Sequence, residues 1–284
     1  MAAKAASKLD ALIFIDTNIL LDFYRVRNSD VGLELLELIE KHKDIIITGS
    51  QVEMEYKKNR QRVVLETLNA QKQPEWSGLT PPAFLADAKP AKMIAKARES
   101  IKTQQARLKK RITSILEKPG SSDIVYKTLQ KVFRNSCEYN LSREKKLRFE
   151  IRNLARKRFV LGYPPRKQGD TSIGDAINWE WILRCTVQSG KHVILVTRDT
   201  DYGISYDKRY YLNDWLRQEF AERVKNIRRK IVLTDRLAEA FKLVKIPVSQ
   251  KAAAAEVQLL DEIGASHADL KPMMQTIDMG GSKG

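Results

Sequence analysis

Cysteine and histidine are scarce, two and three in 284 residues. Cys137 and Cys185 show no paired spacing and have no histidine nearby, so neither a disulfide framework nor a Cys/His zinc site is indicated. Both read as reduced core thiols. His42, His192 and His267 also lack metal-ligand spacing, and His192 reads as a structural or surface residue. There is no Gly-rich loop ending in Lys-Ser/Thr, so ATP hydrolysis is unsupported. No apolar run approaches bilayer-crossing length. The first such run, Ala11–Ile15, is too short for a signal-peptide core and ends on Asp16. A cytoplasmic location without a membrane partner is the expectation.

Positive charge, by contrast, is abundant. Lys and Arg number 51 against 35 Asp and Glu, a net +16. Such a surface attracts polyanions through long-range potential and counterion release, so nucleic acid leads as partner, ahead of anionic membrane or acidic protein. The excess is concentrated: Lys57 to Lys167 holds 28 Lys and Arg against 9 Asp and Glu, while the rest of the chain is slightly acidic. Hydrophobic residues at 43% supply a core, which argues for a globular chain rather than a disordered one.

Hydrophobic patterning gives an alternating order. Ala11–Ile15 reads as a buried strand, followed by Asp-Thr-Asn and a helix from Val31 to Lys41. Asp44–Thr48 reads as a second strand, and Gly49-Ser50 as the break and N-cap before a helix from Gln51 to about Lys72. His192–Val196 forms the third strand, led in by a helix from Ile173 to Ser189 whose Trp179 and Trp181 read as core side chains. Ile231–Leu233 forms the fourth, before a helix from Thr234 to Val244. Strands alternating with helices imply an α/β fold with a parallel sheet flanked by helices.

The basic stretch between the second and third strands reads as a large helical insertion, broken at Gln73–Pro82, Pro119–Ser122 and Gly162–Pro165. Within it Arg148, Arg152 and Arg156 repeat at four-residue spacing, either as a solvated face or as a phosphate-binding stripe. The segment 249–284 is expected to be a tail with weak order toward its end.

Acidic residues recur where an open α/β sheet places its ligands, beyond the carboxyl ends of the strands. Asp16 ends the first strand, where it can also cap a helix. Glu55 lies one turn into the helix after the second strand and shares a face with Asn59, while Glu53 projects elsewhere; a glutamate there can also simply complement the helix dipole. Asp175 follows Gly174 at the start of the Trp-rich helix, with Asp170 as a less favoured acid nearby. Thr197-Arg198-Asp199-Thr200-Asp201 leaves the third strand. Carboxylates gathered at one edge repel unless something positive lies between them, and a divalent cation such as Mg²⁺ or Mn²⁺ is the simplest remedy.

Taken in order, Ile15-Asp16-Thr17-Asn18, Glu55 on its helix, Gly174-Asp175 and Val196-Thr197-Arg198-Asp199-Thr200-Asp201-Tyr202 resemble the four acidic motifs of PIN-domain nucleases. More narrowly, Gln51 to Glu55 with Asn59-Arg60, the Pro164-Pro165 loop and Gly174 to Trp179 are similar to a bacterial PIN-like group with a long helical insertion. The resemblance implies a discontinuous catalytic domain over 1–72 and 160–248, with a basic helical insertion over 73–159. It implies phosphodiester hydrolysis dependent on Mg²⁺ or Mn²⁺ that leaves a 5′-phosphate, with Asp16, Glu55, Asp175 and Asp199 as metal ligands. Asp201 would act through water, and Asn18 and Thr197 would orient carboxylates. Relatives often carry an acid at the position of Arg198, which here points to phosphate or outward. Arg60, Arg148, Arg152, Arg156 and Arg198 are the expected nucleic-acid contacts.

The leading expectation is an endoribonuclease, as a toxin or defence effector that an inhibitor or operon partner would restrain. The alternatives are a structure-specific DNA nuclease and a nucleic-acid-binding protein with an inactive site.

Overall fold

The computed structural model of the protein describes residues 9–26, 29–69, 80–166, 172–207, 209–225 and 229–275, with side chains omitted for 29–31 and 264–275. In chain order its elements are β1 (Ala11–Ile15), α1 (Thr17–Leu21), α2 (Ser29–Lys41), β2 (Ile46–Gly49), α3 (Ser50–Asn69), α4 (Lys89–Glu117) and α5 (Pro119–Ser122). They continue with α6 (Ile124–Phe133), β3 (Asn140–Leu141), α7 (Leu147–Val160), α8 (Gly174–Ser189), β4 (His192–Val196), β5 (Gly203–Tyr206) and β6 (Arg209–Leu212). The last are α9 (Asp214–Val224), β7 (Ile231–Thr234), α10 (Leu237–Leu243) and α11 (Gln250–Gln275).

All five residues of β1 are buried, the signature of a strand covered on both faces. It runs parallel to β2 on one side, with Ile13 opposite Ile46, and to β4 on the other, from Ala11 opposite His192 to Ile15 opposite Val196. The five-stranded sheet has the order β3-β2-β1-β4-β7, with every pairing parallel. β5 and β6 form a separate antiparallel hairpin. The expected α/β class is therefore present, with a parallel sheet flanked by helices. Among the described residues no helix is long and apolar enough to cross a membrane.

Packing explains the helices. α3 buries Val52, Tyr56 and Val63, while α8 buries residues almost all round, including Trp179 and Trp181. The indole N–H of Trp181 donates to the carbonyls of Thr48 at 2.9 Å and Tyr139 at 3.2 Å, and that of Trp179 donates to Glu219 at 2.9 Å. Both tryptophans are core residues, as their sequence setting suggested. Gly190, at φ 62, ends α8 in the left-handed conformation that glycine adopts without steric cost. His192 accepts a hydrogen bond at Nδ1 from the backbone of Lys230, a structural use on the sheet.

Two expectations need correction. The stretch over 73–159, where described, is not a purely helical insertion: Asn140–Leu141 adds β3 to the main sheet. Val125, Leu129, Phe133, Ile151 and Ala155 from the same stretch belong to the one buried core. The expected break at Pro119–Ser122 is present between α4 and α6, and a single turn, α5, fills it with proline at its permitted first turn. Finally, residues 250–275 form a helix rather than a tail. α11 buries Ala252 and Leu259, and Glu256 accepts hydrogen bonds from Leu237 N at 2.6 Å and Ala238 N at 2.9 Å, satisfying the first turn of α10.

Candidate functional site

The sheet register brings Asp16 and Thr197 together. Ile15 pairs with Val196, so the next residues of β1 and β4 leave the sheet side by side, and Asp16 N extends the ladder to Val196 O at 2.9 Å. Asp16 is buried and caps α1, accepting from Thr17 N at 2.6 Å. Its other oxygen accepts from Asn18 Nδ2 at 2.9 Å and from the Thr197 hydroxyl. The cap of α1 and the candidate site residue thus coincide in one carboxylate. Thr197 Oγ1 also accepts from Asp199 N at 2.9 Å, and Asp199 Oδ1 accepts from Asp201 N at 3.1 Å, which shapes the turn after β4.

Glu55 reaches the same edge from α3. Its Oε1 accepts from Gln51 Nε2, one turn earlier, at 2.7 Å, and its Oε2 accepts from Thr17 Oγ1 at 3.2 Å. Glu53 pairs instead with Lys57 at 2.6 Å, away from Glu55 as its position on the helix suggested. Asp175 sits in the first turn of α8, whose N-cap residue Ile173 makes no side-chain cap bond. Gly174 just before it has no room for a side chain: a Cβ there would stand 2.1 Å from Glu55 Oε1 and 2.9 Å from Gln51 Nε2. Close approach to Glu55 is what this glycine provides.

Tyr202 lies close to Asp175. Its side chain is buried and its hydroxyl donates to Asp175 O at 3.4 Å. Burial, and then the charges of Asp175, Asp16, Glu55 and Asp199, push its phenol well above the ordinary value. Side chains from the end of β1, from α3, from α8 and from the turn after β4 therefore act on one ring. Asp170 lies outside the described residues.

The donor set is made of oxygen atoms, the preference of hard divalent cations. Asn18 Oδ1, buried beside Asp16 and accepting no hydrogen bond among the described residues, adds a further oxygen. Among the described residues no group of three or more His, Cys, Asp or Glu side chains is arranged to hold a metal ion as it stands. The carboxylate oxygens of Asp16 and Glu55 point to N–H and O–H donors. Donor chemistry and charge fit a divalent cation.

Two of the five arginines expected to contact nucleic acid are committed elsewhere. Arg60 is buried and paired with Asp123 at 2.6 Å, in a network with Tyr24 and the carbonyl of Ile115 that ties α3 to the chain around α6. It cannot reach a phosphate, and its burial follows from its place on the apolar face of α3, one turn after Tyr56. Arg198 pairs with Asp22 at 2.5 Å, and Arg25 holds the other oxygen of Asp22 at 3.0 Å. Arg148 and Arg152 are half-buried and line a recess beside Gln51, whereas Arg156 is exposed.

The sequence reading missed Thr17 and Gln51 as supports of Glu55. Gln51 was findable, since glutamine four residues before glutamate on a helix is a bonding distance. Thr17 was not, because its bond to Glu55 spans 38 positions.

A family model described as a PIN domain matches residues 13–202. Comparisons with curated proteins and with solved structures give no match.

Proposed function

The chain belongs to the PIN-domain family, whose members are generally nucleases, and from that premise we propose that it is a nuclease dependent on Mg²⁺ or Mn²⁺. What supports this reading is that Thr17 bonds both Asp16 and Glu55, Thr197 bonds Asp16 and the backbone of Asp199, and Gly174 beside Asp175 lies against Glu55, all at the carboxyl edge of a parallel sheet. These four carboxylates would hold the cation. Asn18 and Thr197 orient Asp16, and Thr17 and Gln51 orient Glu55, so that two of the acids have their rotamers set before any ligand arrives. A cation bound there would polarise a water for attack and would offset charge on the departing oxygen. Asp201, on the same turn as Asp199, would act through water.

RNA is the substrate this reading assigns, on the strength of the resemblance described above, and the protein would act as an endonuclease. Metal-stimulated cleavage of labelled RNA and DNA of matched sequence, by the natural protein and by Asp175→Asn, tests the proposal. Cleavage of RNA that needs Mn²⁺ or Mg²⁺ and disappears in Asp175→Asn, with the circular-dichroism spectrum unchanged, is the expected result. Equal cleavage by both proteins would reject the site. Preferential cutting of DNA would reassign the substrate.

A further inference from the structure

Beside the acidic cluster lies a recess with the opposite character. It is a small recess at the surface, and its walls include Ser50, Gln51, Arg148, Arg152, Asn178 and Trp181. No carboxylate is among its walls. It abuts the candidate site twice over: Gln51 holds Glu55 from one side, and Asn178 follows Asp175 by one turn of α8.

Three features of the recess ask for an anion. Asn178 is only 3% exposed, yet its Nδ2 donates to nothing among the described residues. A buried amide left without an acceptor costs about 1–3 kcal/mol, so its presence calls for a partner. The Nε of Arg148 is likewise buried without an acceptor, and its guanidinium is braced at 4.5 Å over the ring of Phe149. Arg148 and Arg152, one turn apart on α7, flank a wall partly made of Trp181, where reduced solvent strengthens a charge-assisted bond. The third feature is the start of α3 at Ser50, where the first backbone N–H groups of a 20-residue helix lack partners within it.

We propose that this recess binds a phosphate group of the nucleic-acid strand and so fixes the strand's register against the acidic cluster. Planar guanidiniums, a side-chain amide and helix N–H groups suit the several oxygens of a phosphate. The identity of the ligand rests on the nuclease reading, but binding is measured without cleavage. The Arg148, Arg152 and Arg156 stripe thereby divides: two residues act as a pair in a built site, and the third is exposed and does not line it.

The test is fluorescence anisotropy of 3′-labelled single-stranded RNA, in 5′-hydroxyl and 5′-phosphate forms, titrated with Asp175→Asn protein over a range of salt. Adding Arg148→Gln and Arg152→Gln is expected to weaken binding about tenfold. The slope of log affinity against log salt should fall by about 0.7 for the lost phosphate. Arg156→Gln in the same background should change both much less. If the loss is equal for the two RNA forms, the phosphate is internal to the strand; if it is confined to the 5′-phosphate form, it is terminal. Should the double variant not fold, Arg152→Gln alone carries the test, with a smaller loss in the same direction. Unchanged affinity and slope, or a loss no greater than that from Arg156→Gln, would overturn the recess while leaving the nuclease proposal to its cleavage assay.

Discussion

The carboxylate of Glu55 leans on a residue that has no side chain, and this makes Gly174 a probe of the site. A methyl added there meets Glu55 Oε1 and Gln51 Nε2, the ends of flexible side chains, so the fold can yield while the acid cannot stay in place. Gly174→Ala is expected to melt within a few degrees of the natural protein and yet to lose cleavage by roughly 100-fold, the scale of a misplaced reacting group. Thermal melting with a parallel cleavage assay checks this, and full activity would show that the position of Glu55 is unimportant. At this scale the sequence was informative where spacing is local. Asp16-Thr17-Asn18, Gly174-Asp175 and Thr197 to Asp201 could each be picked out as a short run at a strand or helix end. The arginines were less legible. Arg60 looked like a surface cation because the sequence does not display its buried partner Asp123, 63 positions away. Nothing local marked Asp22 as the partner of Arg198, which lies far along the chain.

Among the elements, α11 shows how a polar group can set a helix in place. Glu256 receives the first backbone N–H groups of α10, and burial pushes its carboxyl up to about 7, an effect those N–H groups oppose and the charges of Asp235 and Asp22 reinforce. The fold therefore favours the protonated acid. Its stabilising contribution is fully present below the unfolded value near 4.5 and is lost as pH rises through about 7. The size is roughly 3 kcal/mol, from the difference between these two values. Gln at this position keeps the neutral state at every pH. Melting curves from pH 4.5 to 8 should show the natural protein losing stability relative to Glu256→Gln as pH rises, and parallel curves would contradict the role given to this carboxyl. α11 was missed because its alanine-rich start carries little periodicity, and its docking depends on partners in α2 and α10. β3 was missed for a related reason, since two residues show no alternation and only β2 makes them a strand. The central strands were legible because burial on both faces writes itself as an unbroken apolar run.

Across the whole molecule, charge and core follow different boundaries. The stretch from Lys57 to Lys167 carries the positive excess, yet α6 and α7 inside it bury side chains in the same core as β1 and α8. Through these contacts α7, with Arg148 and Arg152, packs against α8 beside the acidic edge, whereas α4 carries much of the remaining charge and buries only Ala91. A strand drawn to the basic side by its field would find the carboxylates next to its phosphate anchor. The central claim is that Asp16, Glu55, Asp175 and Asp199 share one divalent cation. Titration of the protein with Mn²⁺, followed by the electron paramagnetic resonance signal of the free ion, tests it most directly. The natural protein is expected to bind Mn²⁺, and Asp16→Asn, Glu55→Gln, Asp175→Asn and Asp199→Asn are each expected to weaken that binding by about tenfold or more. Absence of binding by the natural protein, or equal binding by all four variants, would contradict the account.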